Sequence, residues 1–232
     1  MKNIAFLFII NALLCIAAFA QTPTPAPLDP LAAEKQRADR LLDRLNNFAN
    51  YGRYREANAK LAPPAKSENR VVFMGDSITD GWKLDQYFPG EPYVNRGISG
   101  QVTSQMLLRF RPDVIDLKPK VVVILAGTND IAGNVGVISL DMIKANYASM
   151  IDLAHAHGIN VVFASIMPVS DYNKNAQGNP IIRTVQRKPA EILDLNNWIK
   201  KTCAERKLVY LDYFSPMADE KGLLKADIAN DG

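Results

Sequence analysis

Cysteine and histidine are scarce in this sequence, and this limits the kinds of site that it could hold. Among 232 residues there are two cysteines and two histidines. Cys15 lies in an apolar N-terminal segment, so a chain cut after Ala20 retains only Cys203 and cannot form an internal disulfide. His155 and His157 are two residues apart on a predicted helix, where they point to different faces and form no plausible set of metal ligands. We therefore expect no metal and no other cofactor, and a fold that depends on its apolar core.

Long hydrophobic runs are also missing. Residues 1–20 hold the longest one, about 15 apolar residues, which is shorter than the roughly 20 that cross a bilayer. Lys2 precedes this run and Ala18-Phe19-Ala20 ends it, which is the pattern of a secretory signal peptide. Leu14, before Cys15, is not the small residue that a lipid-anchored cysteine requires. We expect an exported protein, periplasmic or extracellular, with no stable membrane insertion after signal cleavage.

Strong charge of one sign is absent as well. The chain has 27 lysines and arginines against 24 aspartates and glutamates, a formal net charge of +3, and no long basic run. A concentrated basic patch is the usual mark of a protein that binds nucleic acid or an anionic membrane surface. We therefore expect neither nucleic acid nor an anionic membrane as an obligate partner. The composition does not predict whether the protein is a monomer or an oligomer.

The remaining chain divides into three segments by composition. Residues 21–30 are rich in proline and are typical of an extended linker. Residues 31–64 carry apolar side chains at helical spacing up to Pro63-Pro64, which predicts an N-terminal helical segment. Residues 65–232 hold the rest, and an apolar content of 48% is enough for one domain with a sizeable core.

Short apolar runs alternate with helical patterns in this domain. The five candidate strands are 70–75, 93–97, 121–125, 160–164 and 208–211, and the candidate helices are 103–110, 113–117, 140–157 and 189–206. Strands and helices that alternate in this way build a parallel sheet with helices on both faces. The strand order 2-1-3-4-5 leaves a ligand-binding switch point beside the first strand. We predict an α/β fold, a three-layer sandwich around a five-stranded parallel sheet.

Polar segments follow the first three predicted strands. Ser77 comes just after the first strand breaks at Gly75, while segments 95–103 and 127–130 follow the second and third strands. All three should collect at the carboxyl edge of the sheet, where open α/β folds bind ligands. An ester's tetrahedral intermediate carries an oxyanion, which is stabilised by hydrogen-bond donors already aimed at it. The backbone N–H groups of Ser77 and Gly100 and the carboxamide of Asn129 could supply three such donors.

Each of these residues also has a purely structural interpretation. Ser77 could be a solvated loop serine or a helix N-cap, Gly100 a turn glycine, and Asn129 a cap for the segment that begins at Asp130. Asp76 is expected to organise its turn by accepting backbone N–H groups, rather than to act as a catalytic acid. The three segments together favour a functional site over these separate interpretations.

The three polar segments contain the sequences Gly75-Asp76-Ser77-Ile78, Gly97-Ile98-Ser99-Gly100 and Gly127-Thr128-Asn129-Asp130. In this order they resemble the first three sequence blocks of the SGNH hydrolases, also called the GDSL esterase/lipase family. The resemblance extends from about Arg70 to the end of the sequence. It implies a flavodoxin-like sandwich, a nucleophilic serine at Ser77, and an oxyanion hole formed by Ser77, Gly100 and Asn129. An ordinary α/β-hydrolase is disfavoured because no glycine stands at position 79, two residues after the serine.

The same family places an aspartate and a histidine near the carboxyl end, in a pattern like Asp-Gly-x-His. Asp231 matches the aspartate, and the histidine would fall two residues beyond Gly232. His155 and His157 should not substitute for it. They precede the fourth strand, so they should lie by the amino ends of the strands, about 17 Å from the serine. The resemblance thus implies a triad of Ser77, Asp231 and a histidine beyond Gly232.

The expected function is that of an exported serine esterase, acting on a small-molecule or carbohydrate ester with a short acyl group. Without the histidine, activity should be reduced by orders of magnitude. The alternative is a catalytically impaired ester- or sugar-binding module with the same fold. A flavin- or nucleotide-binding sandwich has less support, because the first turn lacks a glycine-rich phosphate cradle. The long polar connection 167–186 should border the site and shape its acyl or alcohol pocket.

Overall fold

The structure, a computed structural model, describes residues 29–229 and 232. The predicted signal peptide lies outside the described residues, as do residues 21–28 of the predicted linker and Asp231. The chain divides into two units, Met1–Leu45 and Asn46–Gly232. Helix α1 (Pro30–Asn46) makes up nearly all of the described part of the first unit, and its proline occupies a first-turn position that needs no backbone N–H. Within residues 29–229, no helix has both the length and the apolar character needed to cross a bilayer.

The second unit is built on five parallel strands. They are β1 (Val71–Gly75), β2 (Tyr93–Gly97), β3 (Val121–Leu125), β4 (Asn160–Ala164) and β5 (Val209–Leu211). They pair in the order β2-β1-β3-β4-β5, every pair parallel. The predicted sheet and its strand order are therefore confirmed. Val, Ile and Phe dominate the first, third and fourth strands, because a buried parallel strand needs apolar side chains on both faces.

Helices connect these strands. Those of the second unit are α2 (Arg55–Lys60), α3 (Ser77–Asp80), α4 (Leu84–Tyr87), α5 (Thr103–Leu108), α6 (Phe110–Asp113), α7 (Thr128–Ile131), α8 (Leu140–Ala156), α9 (Pro189–Arg206) and α10 (Phe214–Met217), with a 3₁₀ turn at Ile115–Leu117. The two long helices, α8 and α9, end within one residue of their predicted bounds. The predicted helical piece 113–117 is instead divided between the end of α6 and the 3₁₀ turn.

The main core lies between one face of the sheet and the helices α5, α8 and α9. Val72, Ile124 and Phe163 of the sheet are at most 1% exposed and belong to the same apolar cluster as Tyr147 of α8 and Ile199 of α9. The opposite face carries Phe73, which packs edge-on against Trp82 with ring centroids 5.4 Å apart. Most of the buried apolar side chains belong to this cluster, and their burial stabilises the fold.

Candidate active site

Ser77 is the first residue of α3, and a single residue, Asp76, separates it from the end of β1. Its side chain is exposed, and neither its backbone N–H nor its hydroxyl has a hydrogen-bond partner among the described residues. The turn that presents it is held by Asp76, the N-cap of α3, whose carboxylate accepts from the backbone N–H of Ile78 at 3.0 Å. Ser77 is therefore an accessible hydroxyl at the start of a helix, on the carboxyl edge of the sheet.

The segment after β2 is held directly against α3. The Asp80 carboxylate accepts from the backbone N–H of Ser99 at 3.1 Å and from its hydroxyl at 2.7 Å. Gly97 allows this approach, because a Cβ at that position would overlap the backbone of Thr79 and Asp80. Close packing thus requires glycine at position 97, and it brings the loop that follows against α3, the helix that begins with Ser77.

Gly100 lies in this loop with a φ of +78°, a left-handed conformation that glycine adopts at little cost. Its carbonyl accepts from the side-chain amide of Asn134 at 3.2 Å. Among the described residues, nothing accepts a hydrogen bond from its backbone N–H. The loop therefore leaves one backbone donor available between Ser99, which is tied to α3, and Gln101.

Asn129 is the second residue of α7 and is 4% exposed. Its Nδ2 donates to the backbone carbonyl of Gln101 at 3.0 Å and to the Asp76 carboxylate at 3.3 Å. The interpretation of Asn129 as a cap is wrong, because the N-cap of α7 is Gly127, whose φ of +115° is in the left-handed region. The buried carboxamide is therefore oriented by the first and second polar segments, and not by the helix that carries it.

Two carboxyl groups in this region are buried and titrate above their ordinary range. Burial raises the pKa of Asp76 to about 6, although the Ile78 N–H and the Arg187 guanidinium act in the opposite direction. Burial also raises the pKa of Asp130 to about 6, against the hydrogen bonds that it accepts from Thr103. Both groups cost free energy when ionised, because each hydrogen-bond network replaces only part of the lost hydration.

A cavity of about 370 Å³ opens at this edge, and Ser77 and Asn129 both line it. The rest of its described wall is mostly apolar: Ile78, Leu125, Ala126, Ile166, Met167, Pro168, Val169, Met217, Leu224, Ile228 and Ala229. Gly232 lines it as well, and its carbonyl accepts from the Ser170 N–H at 3.2 Å. The C-terminal residue of the sequence therefore lies at the same cavity as Ser77. Asp231, the predicted triad member, lies outside the described residues.

The connection 167–186 contributes only its ends to this cavity. Met167, Pro168, Val169 and Arg183 line it, whereas no described residue from 170 to 182 does. The middle forms a small hairpin, with a bridge between Lys174 and Pro180. Asp171 closes the base of the hairpin by accepting from the N–H groups of Arg183 and Thr184 at 2.6 and 3.0 Å. The exposed hairpin therefore lies apart from the described cavity wall.

His155 and His157 lie at the C-terminal end of α8, before β4 begins. Both are exposed, and a ring nitrogen of His157 is 2.8 Å from the Leu153 carbonyl of its own helix. They are at the amino edge of the sheet, opposite Ser77. Neither residue belongs to the candidate site.

Three polar residues of the site were not identified as functional candidates from the sequence. Arg187 donates to the Thr128 hydroxyl at 3.1 Å, and Gln101 accepts from Asn129. Arg109 is fully buried beneath them. One signal was present for Arg109, which shares the apolar face of its segment with Met106 and Phe110, where a charged side chain needs buried partners.

Comparison with known proteins gives this arrangement its family. The sequence model of the GDSL-like Lipase/Acylhydrolase family matches residues 73–232. A GDSL-like lipase from Bacteroides thetaiotaomicron VPI-5482 is 41% identical, over 80% of this chain and 88% of that one, with a TM-score of 0.72. A protein from Bacteroides fragilis NCTC 9343, described as an acylhydrolase by similarity, is 38% identical, over 79% of this chain and 86% of that one, with a TM-score of 0.71.

A curated relative is more distant. YqeF, named as a lipoprotein of Bacillus subtilis (strain 168), is 32% identical over 122 residues, which are 44% of this chain and half the length of YqeF. The family match covers more than two thirds of the chain and includes all three polar segments. The chain therefore belongs to the GDSL-like lipase/acylhydrolase family.

Proposed function

We propose that this protein is a serine esterase that hydrolyses carboxylic esters with short acyl groups at Ser77. The observation that carries the proposal is the pairing, in one cavity, of an exposed serine hydroxyl with the oriented carboxamide of Asn129. Family membership supports a hydrolase that acts on acyl groups. The apolar wall and the volume of about 370 Å³ favour a small acyl group.

The proposed oxyanion hole consists of the N–H groups of Ser77 and Gly100 and the Nδ2 of Asn129. Neither backbone donor is bonded to a described residue. The bond from Asn129 to the Asp76 carboxylate, at 3.3 Å, is longer than its bond to Gln101, at 3.0 Å. A substrate oxyanion would compete for the Asp76-facing hydrogen, while the Gln101 bond holds the carboxamide in place. Donors fixed in this way stabilise the charge that develops during attack.

In the proposed reaction, the Ser77 hydroxyl attacks the ester carbonyl and gives its proton to a histidine. The tetrahedral intermediate collapses as the histidine protonates the departing alcohol, and water then releases the acid from the acyl-enzyme. Asp231 would orient the histidine, which the family's Asp-Gly-x-His pattern puts two residues after Gly232. The position of Gly232 at the cavity supports this assignment. Asp76 would support the turn and would not transfer protons.

Hydrolysis of para-nitrophenyl acetate, butyrate and octanoate by the full-length gene product tests the proposal, with Ser77→Ala as the control. We expect turnover that favours the shorter esters and is lost in the variant. A fluorophosphonate probe should label Ser77 alone, located by peptide mass. Absence of both labelling and turnover would contradict the esterase proposal, and ester or sugar binding under the same conditions would favour the non-catalytic binding module.

We also propose that the protein is exported by means of residues 1–20. The signal-like sequence supports this, and so does the naming of its relative YqeF as a lipoprotein. The mass of the protein recovered from the cell envelope or medium distinguishes two routes. Cleavage after Ala20 gives a chain that begins at Gln21, whereas a lipid anchor gives a diacylglyceryl group on Cys15. Recovery of the unprocessed chain from the cytoplasm would contradict export.

A further inference from the structure

Arg109 is a charged side chain with no exposed surface, and it lies beneath the site without lining the cavity. Its guanidinium makes four hydrogen bonds. It donates to Gln101 Oε1 at 2.5 Å, to the Arg96 carbonyl at 2.9 Å, to Asp113 Oδ2 at 3.0 Å and to the Gly75 carbonyl at 3.2 Å. Burial lowers the pKa of Arg109, and the Asp113 carboxylate beside it opposes that shift.

Two of these acceptors are backbone carbonyls at the carboxyl ends of neighbouring strands. The Gly75 carbonyl belongs to the last residue of β1, two positions before Ser77. The Arg96 carbonyl belongs to the second-to-last residue of β2, just before the loop that holds Gly100. A single planar guanidinium therefore bridges the end of the strand that leads to Ser77 and the end of the strand that leads to Gly100.

Gln101 carries the same constraint to the third donor. Its side-chain oxygen is held by Arg109, and its side-chain amide donates to the Ala49 carbonyl at 2.9 Å. With both ends of the side chain bonded, the residue is held in one place. Its backbone carbonyl then accepts from Nδ2 of Asn129 at 3.0 Å. Arg109 is thus one side chain removed from the carboxamide that we propose as an oxyanion donor.

We propose that Arg109 is a positioning residue that holds the three oxyanion donors in register, acting on Ser77 and Gly100 through the strand ends and on Asn129 through Gln101. The inference rests on the proposed function of Ser77. The ion pair with Asp113 satisfies the charge of Arg109, and a purely structural role would allow any acceptors for the other N–H donors. The three remaining bonds all reach the strand ends and the loop that carry the site, and the fork geometry of arginine allows them to form together.

Arg109→Lys separates these two roles. Lysine keeps the positive charge beside Asp113 but cannot donate in several fixed directions at once. We expect kcat for para-nitrophenyl acetate to fall about 10- to 100-fold with KM changed less than threefold, because small displacements of reacting groups have effects of this size. The rate of fluorophosphonate labelling at Ser77 should fall in parallel.

Asp113→Asn is the matched control. It removes the charge that pairs with Arg109 but leaves the bonds to Gly75, Arg96 and Gln101 possible. We expect it to lower the melting temperature while kcat stays within twofold of wild type at a temperature where both proteins are folded. If Arg109→Lys and Asp113→Asn alter kcat equally, or if neither alters it in an active protein, the positioning role is wrong.

A spectroscopic measurement tests the inference without turnover. The side-chain amide signals of Asn129, assigned with Asn129→Asp, should shift in the ¹⁵N spectrum of Arg109→Lys and stay unchanged in Asp113→Asn. Unchanged Asn129 signals in Arg109→Lys would overturn the inference, whatever the activity. If the fluorophosphonate does not label Ser77 in the wild-type protein, but the Asn129 signals shift in Arg109→Lys, the proposed esterase function is contradicted. The positioning of the Asn129 carboxamide by Arg109 is then still supported.

Discussion

The polar groups at the carboxyl edge of the sheet and the apolar core beside it are equally buried, but different forces hold them. Asp76, Asn129 and Arg109 are 4% exposed or less, as are Ile124 and Phe163 of the core. The core side chains gain free energy simply by leaving water. The polar groups lose hydration, and each needs partners at defined distances and angles. Substitutions in the core should therefore change the free energy of unfolding, and substitutions at the carboxyl edge should change the positions of the polar groups in the candidate site.

The largest effect is expected from Ser77→Ala. Removal of the proposed nucleophile should lower kcat by about 10⁴-fold or more, because the remaining groups of such sites give only residual catalysis. Ser77 is exposed and its hydroxyl has no described partner, so the melting temperature should change by less than about 2 °C. Kinetics and calorimetry on the same sample measure both. A variant that retains more than a hundredth of wild-type activity would show that the chemistry takes place elsewhere.

Phe163→Ala tests the core side of the comparison. Phe163 is 1% exposed and packs edge-on against Tyr147, with ring centroids 4.9 Å apart. Its truncation should cost about 3–5 kcal/mol of unfolding free energy, measured by urea denaturation. The activity per folded molecule should stay within about threefold of wild type, because this ring lies outside the cavity wall. A large loss of kcat at full folding would erase the distinction between the two regions.

Asn129→Ala tests the edge. Loss of one proposed oxyanion donor should reduce kcat by about 10²- to 10³-fold, with little change in KM, because such a donor acts mainly on the transition state. The variant also leaves the Gln101 carbonyl without this partner, which should cost about 1–3 kcal/mol of stability. Steady-state kinetics with short para-nitrophenyl esters checks the first expectation. An increase in KM at constant kcat would instead assign Asn129 to substrate binding.

The pH dependence of stability tests the cost of burying the two carboxyl groups. Their folded pKa values, about 6, lie above the ordinary value of 3.8, so the folded state binds more protons than the unfolded state between these pH values. Each carboxyl group therefore contributes most to the stability of the folded state at low pH, and this stability is lost as the pH rises through about 6.

Asp76→Asn and Asp130→Asn isolate these contributions. Neither variant carries the ionisation cost, so each should gain stability relative to wild type as the pH rises from 4 to 7. The gain should be about 2–3 kcal/mol for a shift of roughly two pKa units. Urea denaturation at several pH values, read as the difference between variant and wild type, measures it. A difference that is constant with pH would show that these carboxyl groups are not destabilised by burial.

The smallest effect concerns the connection after β4. Met167 lines the cavity and Gln177, on the exposed hairpin, does not. Met167→Ala should change the ratio of kcat/KM for butyrate and acetate esters by about 3- to 10-fold, as expected for altered apolar contacts with the acyl group. Gln177→Ala should leave the ratio unchanged. Equal effects from both variants would mean that the hairpin takes part in the pocket.

Much of this architecture could be predicted from local sequence. Strands such as Val121–Leu125 are unbroken apolar runs with a glycine within two residues of their end, and the observed bounds agree with the predicted ones to within a residue. The four-residue helices α3 and α7 could not be predicted in the same way. They are too short for apolar periodicity, and α3 depends on a cap from Asp76 that only the folded turn allows.

The sequence by itself determined the parallel sheet and the three polar segments at its carboxyl edge, because these depend on periodicity and on the chain direction of parallel strands. The strand order followed from the usual arrangement of open α/β sheets. Only the tertiary structure decided how the segments are held. Arg109 reaches Gly75 across 34 residues, and Asn129 reaches Gln101 across 28. Such bonds depend on close packing between segments distant in the chain, which makes the site a property of the fold and not of any one motif.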